Sequence, residues 1–470
     1  MMNTEQLYQA YLRARNDCPP GLPVTTDSRK ITPGCIFFAF KGETFDGNAF
    51  VPQALEQGAA LCVTTDPQYS NRHNCLVVED VLLTLQQLAT YHRSQLTIPF
   101  IGITGTNGKT TTKELVHAVL AKRYRTHATA GNFNNHLGVP LTLLSMPANT
   151  EIAIVEMGAN HPGEIEALCR IADPDCGLIT NVGRAHLEGF GSFEGVVHTK
   201  TELYRHLAGK QGMVFVNADN ERLMHEAEKL ATIPPTDSVI PAYAPATPIL
   251  TPEAVGNTLL SLSTYGNSSE ADVHGTYVES NPYMHFYFEV GDNVYNVRTH
   301  LLGAYNFDNC MAAVAVGQHF GVEPFDIKEA IEQYEPSNRR SQYKETGRNR
   351  LFLDCYNANP SSMKAALDSF LALPYPCKVP ILGSMKELGH DSHKEHRAIV
   401  DNLIAGDCER IILIGPEFLK ALPTPEDGRI LWFNTSEEAA AFLHDNPLQD
   451  ATILLKGSNS NRMWLLESEL

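Results

Sequence analysis

The sequence has no apolar run long enough to cross a bilayer, and residues 1–17 contain no apolar core of signal-peptide length. These absences predict a cytoplasmic protein that does not insert into a membrane. Positive charge is also scarce, since 36 Lys and Arg against 54 Asp and Glu give a formal net charge of -18. Such a chain repels a polyanion unless its basic residues are locally concentrated, so no nucleic-acid partner is expected.

Paired cysteines are missing too. The ten cysteines stand singly, without the Cys-x-x-Cys spacing of a zinc site or a redox dithiol. We expect reduced and mostly buried thiols, as in a reducing cytosol. His390, His393 and His396 have a spacing that lets histidines share a helix face, but no cysteine or second ligand pair accompanies them, so zinc is the weaker alternative there.

The order of apolar segments predicts an α/β fold of three domains, because 470 residues exceed what one hydrophobic core usually spans. Residues 1–97 predict a small α/β domain. Residues 98–334 alternate apolar strands with helical segments, which predicts a largely parallel sheet covered on both faces, with a hairpin near residues 285–297. Residues 335–470 repeat this rhythm and predict a Rossmann-like third domain.

The strongest local signal is a glycine-rich loop between an apolar strand that begins at Phe100 and a helix that carries Leu115 and Val119. Backbone N–H groups of such a loop, together with the helix N-terminus, cradle phosphate oxygens. We expect Lys109 to contact the β- and γ-phosphates of ATP and Thr110 to hold magnesium. The predicted ATP-binding residues of the loop are Gly105, Thr106, Asn107, Gly108, Lys109, Thr110 and Thr111.

The glycine spacing departs from that of an ordinary P-loop. A glycine is expected five positions before Gly108, where Ile103 stands instead, and the glycines are displaced to Gly102 and Gly105. The segment Thr104–Thr110 resembles the phosphate loop of the Mur ligase and folylpolyglutamate synthetase superfamily. The ligases of that superfamily activate a carboxylate as an acyl phosphate.

Further segments resemble the Mur ligases over nearly the whole chain. Asp27–Gly34 and Phe38–Gly47 are similar to the UDP-binding domain of that family, which folylpolyglutamate synthetase lacks. The other similar segments match the branch of the family that adds D-alanyl-D-alanine, and they are Gly131–Pro140, Val155–Gly163, Asn181–Ser192, Asp354–Pro360, Gly383–Gly389, Glu395–His396 and Lys456–Ser458. Several matches in family order are stronger evidence than any single motif.

The resemblance implies an ATP-dependent amide ligase of peptidoglycan synthesis. Such an enzyme joins D-alanyl-D-alanine to UDP-N-acetylmuramoyl tripeptide through an acyl phosphate, forming the pentapeptide precursor, and we expect it to act as a monomer. By this resemblance, residues 1–97 bind the UDP substrate, residues 98–334 bind ATP, and residues 335–470 close the site. Whether the third residue of the peptide is diaminopimelate or lysine stays open.

Two alternatives remain beside this interpretation. The ligase of the preceding step adds the third amino acid, and its diaminopimelate-using form carries Asp-Asn-Pro-Arg, whereas here Asp445–Pro447 is followed by Leu448. A P-loop ATPase motor or regulator would need a hydrolysis-activating acidic pair after its second strand, and Val155–Gly158 offers none.

The resemblance also assigns the metal chemistry. Glu156, at the carboxyl end of a predicted strand, and Thr110 would hold one Mg²⁺, with a solvated edge glutamate as the plain alternative. His186 matches the family histidine that helps to bind a second Mg²⁺. Lys200 matches a lysine that is carbamylated in the family, and otherwise it would be an exposed helical lysine. With Lys109, these residues form the predicted catalytic set.

The same matches imply the substrate contacts. The residues implied for ATP outside the loop are Asn306, Asn309, Arg340 and Asp354. Tyr305 stands where the family often has histidine, and Arg339 could exchange roles with its neighbour. The residues implied for the UDP substrate are Ser28, Arg29, Lys41, Phe45, Asp46, Gly47, Asn134 and Asn135. The residues implied for the D-alanyl-D-alanine side are Tyr356, Asn357, Asn359 and His396, with a structural role as the alternative for His396.

Overall fold

The computed structural model describes residues 3–19, 22–42, 44–232, 260–337, 339–423 and 427–470. Within these ranges the chain forms three β-sheets with helices between the strands, and the predicted α/β fold is confirmed. Asn338, which precedes the paired arginines, lies outside the described residues, as do residues 233–259 of the predicted central domain. No helix in the described ranges combines the length and the apolar character needed to span a membrane.

The first sheet has four parallel strands that lie side by side in chain order. They are β1 (Val24–Thr25), β2 (Ile36–Phe38), β3 (Leu61–Thr64) and β4 (Cys75–Val77), and the helices of this part are α1 (Thr4–Asp17), α2 (Val51–Glu56) and α3 (Val81–Ser94). Every residue of β2 and β3 is buried, as expected for a parallel sheet covered on both faces. Asn3 and Gln6 form a capping box at the start of α1, and the Asp80 side chain caps α3.

The second sheet has nine strands within the described residues. In chain order they are β5 (Phe100–Thr104), β6 (Thr126–Ala128), β7 (Ile152–Glu156), β8 (Cys176–Ile179), β9 (Met213–Asn217), β10 (Ser261–Gly266), β11 (Val273–Ser280), β12 (Tyr283–Val290) and β13 (Asn293–Leu302). The spatial order is β13-β12-β11-β10-β9-β8-β5-β7-β6. The predicted hairpin is confirmed as β12 and β13, whereas β10 and β11, which join it to the parallel strands, were not predicted.

Nine helices accompany the second sheet in the described residues. They are α4 (Lys109–Leu120), α5 (Gly138–Leu144), α6 (Glu164–Ala172), α7 (Leu187–Phe190), α8 (Phe193–Lys200), α9 (Glu202–Ala208), α10 (Glu221–Thr232), α11 (Phe307–His319) and α12 (Pro324–Gln333). Strand β5 lies between β7 and β8 in parallel pairing, so the residues that follow these three strands meet at one edge of the sheet.

The third sheet is parallel except at one edge. Its strands are β14 (Gln342–Glu345), β15 (Arg350–Asp354), β16 (Lys378–Gly383), β17 (Ile411–Ile414), β18 (Ile430–Phe433) and β19 (Thr452–Lys456), and its helices are α13 (Pro360–Leu371), α14 (Ser392–Ala405), α15 (Pro416–Leu419) and α16 (Ser436–Asp445). The spatial order is β14-β15-β19-β16-β17-β18, with β14 antiparallel to β15. The five predicted strands of this region are confirmed as β15 to β19, and β14 is an addition.

The first and second sheets share one apolar core, which runs from α1 and α3 into α5, α6 and α9. At this junction the buried Tyr11 hydroxyl donates to the carbonyl oxygen of Leu144 at 3.0 Å and lies 3.3 Å from Nε2 of His92. Burial lowers the pKa of His92 to about 4, so this ring is neutral. The third sheet has its own apolar clusters on both faces, and Leu302 and Tyr283 of the second sheet join one of them.

All ten cysteines are free, and eight are buried, with Cys75 partly exposed and Cys377 exposed. The prediction of reduced, mostly buried thiols agrees with this placement. These side chains serve as small apolar groups in the cores, as Cys169, Cys310 and Cys355 do beside the main sheets.

Candidate active site

The glycine loop between β5 and α4 is closely packed on two sides. Gly105 has a φ of +145°, and a Cβ at this position would lie 2.0 Å from Oγ1 of Thr180. Gly108 has a φ of +78°, and its Cβ would lie 2.4 Å from Oδ1 of Asn309. Both positions therefore require glycine. Ile103 is buried inside β5, so the loop begins later than in an ordinary P-loop, which accounts for the displaced glycine.

Lys109 is the first residue of α4, and its side chain bends back over the loop. Its Nζ donates to the carbonyl oxygens of Gly105, at 2.7 Å, and Thr106, at 3.0 Å. Burial lowers the pKa of Lys109, and the charge of Arg340 acts in the same direction, whereas Glu156 opposes the shift. The ammonium group is therefore held at the phosphate-binding end of the loop, where an anion would improve its electrostatic environment.

A carboxylate faces the first turn of α4. The Thr110 hydroxyl donates to Glu156, at 3.0 Å to Oε2 and 3.2 Å to Oε1. Asn134 Nδ2 donates to the same Oε1 at 2.8 Å, and Glu156 is only 1% exposed. The two oxygen-bearing side chains meet because Glu156 ends β7 and the loop follows the neighbouring strand β5.

This arrangement fits magnesium bound together with a nucleotide. A hydroxyl and a carboxylate are hard oxygen ligands, and Mg²⁺ commonly uses one or two such groups with phosphate oxygens and water. No cluster of three or more His, Cys, Asp or Glu side chains suited to a metal occurs in the part of the chain that the structure describes. Thr110 and Glu156 therefore offer a partial site that phosphates would complete.

A hydrogen-bond network of polar side chains connects α4 with the start of α11 and with the segment before β14. The Thr112 hydroxyl donates to Asn309 Oδ1 at 3.0 Å, and Asn309 Nδ2 donates to Asn306 Oδ1 at 2.8 Å. Asn306 Nδ2 is 3.3 Å from Oγ of Ser341, and the Tyr305 hydroxyl is 3.2 Å from the same oxygen. The two asparagines predicted to contact ATP, Asn306 and Asn309, therefore lie beside the phosphate loop.

Residues of the third sheet face the loop across the cleft. The Arg340 guanidinium lies 3.6 Å from the ring centroid of Tyr356, within cation–π distance. Lys456 Nζ donates to Asp354 Oδ2 at 2.5 Å, and both side chains border the cavity described below. Asn359, which caps α13, donates through Nδ2 to Oδ1 of Asn107 at 2.7 Å, so the third sheet contacts the phosphate loop directly.

Lys200 ends α8 and is only 3% exposed. Burial lowers its pKa to about 7, and the positive charge of Lys109 adds to this effect, while two glutamates oppose it. Within the described residues no hydrogen bond or ion pair holds its Nζ, which lies 5.5 Å from the ring centroid of Phe190. His186 has a left-handed backbone, its Nδ1 contacts Glu387, and burial lowers its pKa.

Most of the predicted ATP and catalytic residues border one cavity of about 1470 Å³. The predicted residues in its lining are Thr106, Asn107, Gly108, Lys109, Thr110, Thr111, Asn134, Asn135, Glu156, His186, Asn306, Asn309, Arg340, Asp354, Tyr356 and Asn357. Among the described residues, Gly105 and Lys200 pack behind this lining. The cavity thus joins groups from the second and third sheets in one place.

The residues predicted for UDP divide into two places. Ser28, Arg29, Lys41, Phe45, Asp46 and Gly47 lie in the segments that connect strands β1, β2 and β3 of the first sheet, and they do not border this cavity in the described structure. Arg29 forms two hydrogen bonds of 2.8 Å with Asp27 and keeps an 87% exposed side chain. Asn134 and Asn135 lie instead on the nucleotide side, next to Glu156.

Helix α3 supplies lining residues that were not predicted, and they are Leu83, Gln86, Gln87, Thr90, Tyr91, Arg93 and Ser94. Gln86 Nε2 donates to the carbonyl oxygen of His136 at 2.9 Å, which fixes this face of the helix beside the Asn134 loop. The polar pair Gln86 and Gln87, between the apolar residues Leu85 and Leu88, was the available signal.

The structure gives His396 a structural place rather than a ligand contact. Its Nε2 accepts from the N–H of Met385 at 3.0 Å, and its Nδ1 lies 2.7 Å from the carbonyl oxygen of Ser392. The ring is fully buried against Phe418, so neither nitrogen is available for D-alanyl-D-alanine or for zinc.

Of the two candidate arginines, Arg340 borders the cavity, whereas Arg339 Nε pairs with Glu467 at 3.2 Å. The geometry therefore favours Arg340 for a nucleotide contact.

A glycine-rich loop that leads into a helix, a hydroxyl and a carboxylate paired beside it, and a cleft between the second and third sheets are features of an enzyme that acts on a nucleoside triphosphate. Three family models match this chain: the Mur ligase family catalytic domain over residues 23–92, the Mur ligase middle domain over residues 103–235, and the Mur ligase glutamate ligase domain over residues 339–459. The chain belongs to the Mur ligase family.

Similar proteins cover nearly the whole chain. UDP-N-acetylmuramoyl-tripeptide--D-alanyl-D-alanine ligase of Bacillus subtilis (strain 168) is 34% identical over 95% of this chain and 92% of its own length. The crystal structure of MurF from Acinetobacter baumannii has a TM-score of 0.82 at 30% identity and covers 100% of this chain and 98% of its own. MurF ligase from Thermotoga maritima in complex with ADP has a TM-score of 0.79 at 25% identity, covering 96% and 97%.

The packing at Gly108 generates a testable prediction. Gly108→Ala should abolish measurable ADP binding, because the new Cβ meets Asn309 and the positive φ adds a cost of about 1–2 kcal/mol. Gly291→Ala is the matched control, since Gly291 has a φ of +57° and no atom within 4 Å of its Cβ position. Titration calorimetry with ADP and thermal melting measure both effects. Wild-type ADP affinity in Gly108→Ala would show that this close contact is unimportant.

Proposed function

We propose that this protein is an ATP-dependent ligase that joins D-alanyl-D-alanine to UDP-N-acetylmuramoyl tripeptide and thereby forms the pentapeptide precursor of peptidoglycan. The observation that carries this proposal is the cavity in which Lys109, Thr110 and Glu156 face Arg340 and Asp354 of the third sheet. Similarity along nearly the full chain to ligases of this name supports the choice of substrates.

The reaction requires two transfers in one cleft. The terminal carboxylate of the nucleotide peptide attacks the γ-phosphorus of ATP, and ADP leaves. The amine of D-alanyl-D-alanine then attacks the resulting acyl phosphate, an amide bond forms, and phosphate leaves with loss of a proton from the amine. Water would hydrolyse the acyl phosphate, so the closely fitting third sheet would protect it.

The phosphate loop would hold the triphosphate during the first transfer. Lys109 Nζ is already held there by two carbonyl oxygens. The N–H groups of Thr106 and Asn107 donate to Asn181, so the N–H groups at the start of α4 would contact the phosphates. Thr110 and Glu156 would hold one Mg²⁺, which supplies neutralisation of phosphate charge when it is bound. Asn306 and Asn309 would contact adenine, and Arg340 and Asp354 would contact ATP from the third sheet.

Lys200 and His186 would hold a second Mg²⁺, with Lys200 present as a carbamate. A carbamate forms when a neutral amine nitrogen attacks the carbon of CO₂ and loses a proton. The pKa of about 7 leaves a large neutral fraction of the Lys200 amine near neutral pH. Among the described residues no hydrogen-bond partner holds Nζ, so a carbamate would displace none, and this anionic group suits a site for cations.

The remaining substrate contacts are assigned by sheet. Ser28, Arg29 and the segment Lys41–Gly47 would bind the UDP group, with Asn134 and Asn135 nearer the reacting end of the peptide. Tyr356 and Asn357 would lie on the D-alanyl-D-alanine side, and Asn359 would support them through its contact with the phosphate loop. We assign residues 1–97, 98–334 and 335–470 as three domains of a cytoplasmic monomer.

The preceding ligase step is the second candidate, and a specific observation disfavours it. Asp445 ends α16, and Pro447 is followed by the largely buried Leu448 rather than by arginine. Nothing in this segment offers a cation to a diaminopimelate carboxylate.

Ligation with defined substrates tests the proposed function. With ATP, Mg²⁺ and UDP-N-acetylmuramoyl tripeptide, we expect phosphate release and amide product when D-alanyl-D-alanine is added. Much less product is expected when D-alanine alone replaces D-alanyl-D-alanine. Much less is also expected when the UDP dipeptide precursor is supplied with diaminopimelate. Paired reactions with lysine-containing and diaminopimelate-containing tripeptides identify the third residue. Preferred use of the UDP dipeptide and diaminopimelate would contradict the proposal and favour the preceding step.

Lys200 provides a second prediction. Lys200→Ala should lose at least about 100-fold in kcat, because a ligand of the second cation is removed, while the fold is retained. Acetate at high concentration should restore part of the rate in Lys200→Ala by occupying the vacated anion position. It should not restore Lys200→Arg, whose guanidinium fills the space with fixed positive charge. Lys364→Ala, at an exposed lysine of α13, is the matched control. Full activity of Lys200→Ala without acetate would refute the carbamate.

A further inference from the structure

One loop contacts both sides of the active-site cleft. This bridging loop, residues 181–186, follows β8 and leads into α7. On the side of the second sheet, Asn181 accepts the N–H of Thr106 at its carbonyl oxygen, at 2.9 Å, and the N–H of Asn107 at Oδ1, at 3.0 Å. The N–H of Gly183 donates to Oγ1 of Thr106 at 3.0 Å. The bridging loop is thus bonded to the phosphate loop by these three hydrogen bonds.

On the opposite side, the same loop is bonded to helices of the third sheet. The N–H of Arg184 donates to Oγ of Ser361 in α13 at 3.0 Å, and its Nη1 lies 3.0 Å from Oε1 of Glu395 in α14. A Cβ on Gly183 would lie 2.7 Å from the Ser361 hydroxyl, so glycine permits this approach. His186 contacts Glu387 on the same side.

The ion pair between Arg184 and Glu395 crosses the active-site cleft. It is the one pair of Arg or Lys with Asp or Glu that connects residues 98–334 with residues 339–470. The Glu395 side chain is 13% exposed, whereas that of Arg184 is 51% exposed. The carboxylate is therefore largely removed from water and depends on its partner, while the arginine can still release it when the cleft opens.

We propose that Arg184 is a positioning residue for ligation, which aligns α13 and α14 with the phosphate loop through Ser361 and Glu395. This inference rests on the proposed function, because it concerns the alignment of the two sheets that must meet around the acyl phosphate. The phosphate loop fixes Asn181 and Gly183, and Arg184 transmits that position to the third sheet. Arg184 does not border the cavity in the described structure, so its loss should lower the rate of a bound complex rather than the binding of the nucleotide peptide.

A charge exchange across the cleft tests this role. Arg184→Ala should lower kcat by about two- to fivefold, as expected for a partly exposed pair. Arg184→Glu and Glu395→Arg should each lower kcat by about tenfold or more, because like charges then face each other. Arg184→Glu combined with Glu395→Arg should return kcat to within about threefold of wild type. The KM for the nucleotide peptide should stay unchanged throughout.

Arg397→Ala is the matched control, because Arg397 pairs with Asp401 on the same helix, 2.8 Å away, without crossing the cleft. It should keep wild-type kcat, and melting temperatures of all variants should match the wild type. Wild-type kcat in Arg184→Glu, or a double variant no faster than the slower single variant, would overturn the inference. A kcat loss that follows a lowered melting temperature would also overturn it. Failure of the wild-type protein to ligate would instead contradict the proposed function.

Discussion

The close packing of the glycine loop is the constraint on which the site depends. A phosphate-binding loop needs backbone N–H groups and a cation at the surface of a cleft, and here neighbouring side chains leave no room for a Cβ at Gly105 or Gly108. The chain meets this constraint by placing β5 between β7 and β8, which brings Glu156 and Thr180 against the loop. The groups proposed to hold the phosphates, Lys109, Thr110 and Glu156, are thus positioned by the second sheet without help from the third sheet.

The distribution of charge also favours a nucleotide site in this cleft. The chain carries a formal charge of -18, yet Lys109, Lys200 and Lys456 are clustered at or behind one cavity and are largely shielded from water. Within an acidic protein, Lys109 thus offers local positive charge to a small polyanionic substrate without creating a surface for nucleic acid, whereas Lys200 in its proposed carbamate form would be anionic. Burial also lowers the pKa values of Lys109 and Lys200, so the protonation of these two lysines would respond to bound phosphates and metals.

Much of the fold and part of the site could be predicted from the sequence. Buried strands such as β7 and β16 are continuous apolar runs, and the glycine loop follows directly from residue order. Strands β10 and β11 were missed because their sequences show no clear alternation of polar and apolar residues. For His396 the sequence leaves a substrate-side and a structural role open, because it does not reveal that both ring nitrogens contact backbone groups. The cavity face of α3 and the ion pair of Arg184 with Glu395 join residues far apart in sequence, which local patterns do not report.

The central claim is that the loop and Glu156 hold a metal-bound nucleotide facing the third sheet. A crystal structure with a non-hydrolysable ATP analogue and Mn²⁺, in which an anomalous difference map locates the manganese, tests it most directly. We predict a manganese peak bonded to Oγ1 of Thr110, near the Glu156 carboxylate, with Lys109 at the terminal phosphates and Arg340 across the cleft. Nucleotide phosphates bound away from residues 105–111, or a metal that contacts neither Thr110 nor Glu156, would contradict it.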